Sequence, residues 1–91
     1  MYQTIAITVS GKVQGVYYRQ YTKEKANELG LTGQVKNQRD GTVHIIATGT
    51  KEQLDKLIEC CKKGPPRAEV AGVEISEMPL THFEHFRIVR F

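Results

Sequence analysis

Ile5-Ala6-Ile7-Thr8-Val9-Ser10-Gly11-Lys12-Val13-Gln14-Gly15-Val16-Tyr17-Tyr18-Arg19 contains a change of period that sets the architecture. Ile5, Ile7 and Val9 alternate with Ala6 and Thr8, the period of two that marks a strand with one buried face. This strand is expected to stop at Ser10-Gly11, and a loop of small residues carries the chain to about Tyr17. From Tyr18 the period changes: Tyr18, Thr22, Ala26 and Leu29 share one face of a helix predicted over residues 18–29. Gly30 stands just past it, where helices commonly end.

Working outward, residues 31–37 and 42–48 read as two strands joined through Arg39-Asp40-Gly41, since Asp-Gly between apolar alternations is a hairpin signal. Thr50 with Gln53 has the spacing of a capping box, the start of a second helix. Leu54, Leu57, Ile58 and Cys61 form its apolar stripe, and Gly64-Pro65-Pro66 ends it, because proline cannot continue a helix. Val70, Val73 and Ile75 suggest a fourth strand with a bulge at Gly72, Pro79 marks a turn, and residues 86–91 form a last strand with Phe86 and Ile88 inward. The order is β-α-β-β-α-β plus a short closing strand. It predicts an α+β, ferredoxin-like βαββαβ sandwich: a mixed, mostly antiparallel sheet with both helices on one face. Many unrelated activities use this arrangement, so the order of elements carries no function.

Bulk composition narrows the classes. Ninety-one residues point to a single domain, 1–91. No apolar run approaches the roughly 20 residues of a membrane helix. No basic stretch and greasy segment open the chain, so a cytoplasmic address is expected. A net charge of +3, from 13 basic and 10 acidic residues, suits an anionic small molecule. It is far from the dense basic stripe of a nucleic-acid binder. Cys60 and Cys61 are adjacent, which strains a disulfide between them, and they lack metal-ligand spacing; packing explains them.

The chemistry is concentrated in residues 11–19, between a strand end and a helix start. The first N–H groups of a helix have no internal partner, and the helix dipole favours negative charge beside them. Gly11 and Gly15 let the loop curl so that successive amides converge on an anion. Arg19, in the first helical turn, opposes the dipole, a small penalty that hints at a ligand; its planar fork matches two phosphate oxygens. A tight connection with no ligand is the structural alternative. Neither a Walker A ending nor GxGxxG is present, so nucleotide binding has no local support.

Gly11-x-Val13-Gln14-Gly15-Val16-x-x-Arg19 resembles the signature of the acylphosphatase family. The likeness continues through Ala26-x-x-Leu29-Gly30-Leu31-x-Gly33-x-Val35-x-Asn37, Asp40-Gly41-x-Val43 and Gly49. Gly64-Pro65-Pro66-x-Ala68-x-Val70 is similar to the bacterial branch, and Phe86-x-Ile88 fits the close. The resemblance implies a hydrolase that cleaves the carboxyl–phosphate anhydride of a small-molecule acyl phosphate to carboxylate and inorganic phosphate, with the phosphate product competing for the site. It implies Arg19 as the phosphate-binding arginine, Asn37 as the residue orienting water, and the amides of Gln14, Gly15, Val16, Tyr17, Tyr18 and Arg19 as the cradle. No metal or other cofactor is implied, and no nucleic-acid or membrane partner; a monomer is the simpler expectation. Tyr17-Tyr18 and Gln34 depart from the commoner residues of the family and bear on the acyl side of the site.

Taken alone, Asn37 reads more readily as a strand-end residue bonding the hairpin backbone. Lys12 either adds positive potential near the phosphate or is solvated. Asp40 reads as a turn former, and His44, His82 and His85 as ordinary surface or edge residues without metal-ligand geometry. An RNA-binding module is the rival from another class, but the RNP1 pattern is missing. A metal chaperone would need CxxC where Val13-Gln14-Gly15-Val16 stands, and a phosphate sensor without turnover would not need both Arg19 and Asn37.

Overall fold

Alternation in the first strand buries Ile5, Ile7 and Val9 against two helices, and everything else is arranged around that face. A computed structural model of the chain describes residues 1–90. The elements run β1 (Tyr2–Lys12), α1 (Tyr18–Glu28), β2 (Thr32–Asn37), β3 (Val43–Thr50), α2 (Lys51–Lys63), β4 (Glu69–Met78) and β5 (Phe86–Ile88). The sheet order is β4-β1-β3-β2-β5; all pairs are antiparallel except β2 with β5. Both helices lie on the face carrying Ile5, Ile7, Val9, Val35, Val43 and Ile45, and this is the ferredoxin-like sandwich expected. The middle of the opposite face presents Ala6 and Thr8, Gln34 and Lys36, and His44 and Ile46, with no Phe, Tyr or Trp among them, and Tyr2 stands exposed on it at the start of β1.

The local signals act as expected where they are self-contained. The Thr50 hydroxyl accepts from the Gln53 amide at 3.2 Å and the Gln53 side chain accepts from the Thr50 amide at 2.8 Å, a complete capping box. Leu54, Leu57 and Cys61 are buried beneath it, with Ile58 half-buried. Burial pushes the Cys61 thiol up to about 12, in keeping with a packing role. In the hairpin, the Asp40 carboxylate accepts from the Thr42 amide at 3.0 Å and hydroxyl at 2.6 Å, so Asp40 forms the turn.

Four expectations need correction. First, β1 does not stop at Ser10-Gly11 but runs on to Lys12, because β4 continues to pair with it. Second, the bulge falls at Ala71, not Gly72: Ser10 pairs with Gly72 and Gly11 with Val70, leaving Ala71 extra. That extra residue restores phase, so Val70 and Val73, three apart, both pack toward the core. Ile75 lies opposite Ile7 yet is exposed, because β4 is an edge strand. Third, the last strand is Phe86–Ile88, with Val89 donating to the Val35 carbonyl at 2.9 Å; Phe91 lies outside the described residues. Fourth, His44 sits on the interior strand β3, not an edge, and its half-buried ring is held below the usual histidine range by desolvation and then by Lys36.

The topology positions the site. β1 and β2 both pair antiparallel with β3, so they run the same way, and β5 is parallel to β2. The carboxyl ends of all three therefore reach the same end of the sheet. That brings together the loop after β1, the last residue of β2, which is Asn37, and the residues after β5.

Candidate active site

A cavity of about 190 Å³ opens at that end, lined by Gly15, Tyr17, Arg19, Asn37, Ile88 and Arg90 together with Val13, Tyr18 and Gln20. Its floor is the loop between β1 and α1. Gly15 has φ 73° and open space where a Cβ would lie, so its left-handed backbone serves the curl itself. Gly11 does something else: a Cβ there would collide with the Glu69 carbonyl and the Ala71 amide of β4. The second left-handed residue of the curl is Tyr17, at φ 73° and ψ 16°, the sole non-glycine with positive φ among the described residues. Such a conformation costs about 1 kcal/mol or more for a residue with a Cβ. Nothing in the sequence announced it.

Helix α1 begins on Tyr17 without a side-chain cap and without an acidic residue in its first turn. None of the backbone N–H groups of Gln14, Gly15, Val16, Tyr17, Tyr18 or Arg19 donates a hydrogen bond to a described residue. Arg19 is half-buried on the cavity wall and pairs with no described carboxylate. Tyr17 is exposed at the mouth, its hydroxyl donating to Glu24 at 2.8 Å, a bond that raises its phenol pKa. Tyr18 turns the other way, fully buried, and donates to the Cys61 carbonyl at 2.7 Å. Burial holds its phenol well above the ordinary range, so it stays a neutral donor.

Asn37 pairs through its backbone with Val43 at the end of β2. Its side-chain Oδ1 is buried and meets no donor among the described residues. The hairpin is instead closed by Gln38, whose amide reaches the Thr42 carbonyl at 2.8 Å and whose side chain reaches the Thr42 hydroxyl at 2.9 Å. Asn37 is thus not spent on the turn, and it shares a cavity with Arg19. The arrangement combines backbone amides without partners among the described residues, a guanidinium without a carboxylate and a carboxamide oxygen open to a donor. Chemically it suits a tetrahedral anion with a neighbouring water.

The acylphosphatase family model matches residues 5–88. A protein from Marinobacter nauticus named acylphosphatase is 55% identical over 82 residues, covering 89% of each chain. One from Methylococcus capsulatus is 45% identical over 87 residues, covering 94% of this chain and 95% of its own. The crystal structure of acylphosphatase from Bacillus subtilis superposes with a TM-score of 0.94 at 35% identity, covering 99% of this chain and all of that one. The chain belongs to the acylphosphatase family. As an acylphosphatase it is an enzyme of the hydrolase class.

In this acylphosphatase the remaining sequence candidates separate clearly. Lys12 is exposed at the end of β1, opposite Glu69, and Gln34 lies on the open sheet face; neither lines the cavity. His82 and His85 are exposed before β5. Among the described residues no three His, Cys, Asp or Glu side chains gather into a metal-binding group, and no helix is long and apolar enough to cross a membrane. Ile88, expected only as an inward strand residue, and Arg90 line the cavity, which the sequence does not reveal because it does not show that β5 lies alongside β2.

Proposed function

We propose that this chain hydrolyses the carboxyl–phosphate anhydride of small acyl phosphates, without a metal or other cofactor, as a cytoplasmic monomer. One observation supports it: Gly15, Tyr17, Tyr18 and Arg19, whose backbone amides lack partners among the described residues, line one cavity with Asn37, whose Oδ1 is buried and bond-free, and Arg19 pairs with no described carboxylate. The amides and Arg19 hold the phosphoryl oxygens as negative charge redistributes over them in the transition state. Asn37 accepts a hydrogen bond from the attacking water and fixes it in line with the phosphorus. An amide is a poor base, so its role is orientation. The water oxygen bonds to phosphorus, the bond from phosphorus to the acyl oxygen breaks, and the carboxylate leaves. The displaced proton passes to a phosphate oxygen of the substrate.

The mild net charge of +3 and the lack of Phe, Tyr or Trp in the middle of the open sheet face, at residues 6, 8, 34, 36, 44 and 46, support a small anionic substrate over a nucleic acid. Acetyl phosphate consumption by the purified protein in excess chelator is the test. Turnover, competed by inorganic phosphate, is expected. Loss of turnover in chelator, restored by a divalent metal, would refute the metal-free mechanism.

A further inference from the structure

The Gln14 side chain reaches away from the loop it belongs to. Its Nε2 donates to the Gln38 carbonyl at 2.7 Å and to the Thr42 carbonyl at 2.9 Å, using both hydrogens of the amide. Those two carbonyls flank the Asn37–Val43 pair, since Gln38 follows Asn37 and Thr42 precedes Val43. The hairpin does not need this bond to close. Gln38 and Asp40 already bind Thr42 through its amide, hydroxyl and carbonyl. What the Gln14 amide adds is the position of the hairpin neck relative to the loop between β1 and α1.

We infer that the Gln14 side chain is a positioning residue that sets Asn37 at working distance from the phosphate cradle. This rests on the function proposed above. The loop and the hairpin are separate segments joined here by one planar group, so that group fixes their spacing. Its loss lets the carboxamide of Asn37 drift relative to the bound phosphate while leaving the cradle amides in place. A displacement of about 1 Å in such a site costs roughly 10²-fold in rate.

The test is a double-mutant cycle on acetyl phosphate hydrolysis. Gln14→Glu keeps the shape and removes both donors, and Gln14→Ala removes the group; thermal melts establish that each is folded. Either variant is expected to lower kcat by roughly 10- to 10²-fold. KM and inhibition by inorganic phosphate should change little, because the cradle is intact. In the Asn37→Ala background the same Gln14 change should cost nothing further, since the residue it positions is gone. An equal loss in both backgrounds would overturn the inference, as would a fall in phosphate affinity matching the fall in kcat/KM. Asn37→Ala with undiminished kcat would overturn the assignment of Asn37 and this inference with it, a result visible before Gln14 is changed.

Discussion

The two helices of this chain begin in opposite ways. Helix α2 enters through Thr50 in extended conformation, with a reciprocal capping box and an acid, Glu52, in its first turn. Helix α1 enters through a left-handed tyrosine, with no cap, no acid and an arginine as its second residue. At the start of α2 the Thr50 and Gln53 amides are answered by the chain itself, and Glu52 complements the dipole. Those at the start of α1 are left open beside a cation. Local stability is optimised at the first end and forgone at the second, the end at which the proposed function places the phosphate.

The comparison can be broken most directly at Arg19. Arg19→Ala is expected to lower kcat for acetyl phosphate by at least ~10²–10³-fold, the scale for one donor at a preorganised anion site. Because the arginine opposes the dipole, the variant should melt at or slightly above the parent temperature. A collapse of the fold would make the residue structural. Arg19→Lys keeps the charge but loses the fork, and steady-state kinetics should still record a large defect.

The mirror experiment is Thr50→Ala. Removing the cap should cost about 1 kcal/mol in chemical denaturation and leave kcat unchanged, since α2 starts at the end of the sheet away from the cavity. Tyr17→Gly sharpens the contrast further. Relief of the left-handed strain should exceed the entropy cost of glycine, raising stability by roughly 0.5 kcal/mol. At the same time it removes a cavity wall, so KM for an aromatic acyl phosphate should rise more than KM for acetyl phosphate. A stability loss would mean that the tyrosine is held there for its packing.

The smallest expected effect comes from His44, on the sheet face opposite the helices. Its folded-state pKa is depressed by desolvation and by Lys36, so the unfolded chain binds more protons as pH falls through about 6.5. Stability should therefore decline from neutral pH downward across that range, and His44→Gln should flatten the slope in denaturation curves taken from pH 7 to pH 5. An unchanged slope would assign that pH dependence to other groups.

The element order, both helices, the capping box and the Asp40 turn follow from residue spacing, because each depends on neighbours within about four positions. The family resemblance singles out Arg19 and Asn37, and spacing finds the strand-to-helix loop that holds Arg19. What the spacing does not contain is distance across the chain. Gly11 looked like a loop former and proves to be a point of close approach to β4. Val70 and Val73 share a face only because Ala71 bulges against β1. Tyr17 carries the turn that a second glycine was expected to supply.

Sequence alone thus determined the periodic segments and their ends, which arise from local sterics, hydrogen bonding and side-chain period. Only the tertiary structure decided that three strands end together, that Ile88 and Arg90 complete the cavity, and that Gln14 ties the loop to the hairpin of Asn37. Those contacts join residues far apart in the chain, and no local preference encodes them; they exist because burying one face of the sheet fixes the strand order.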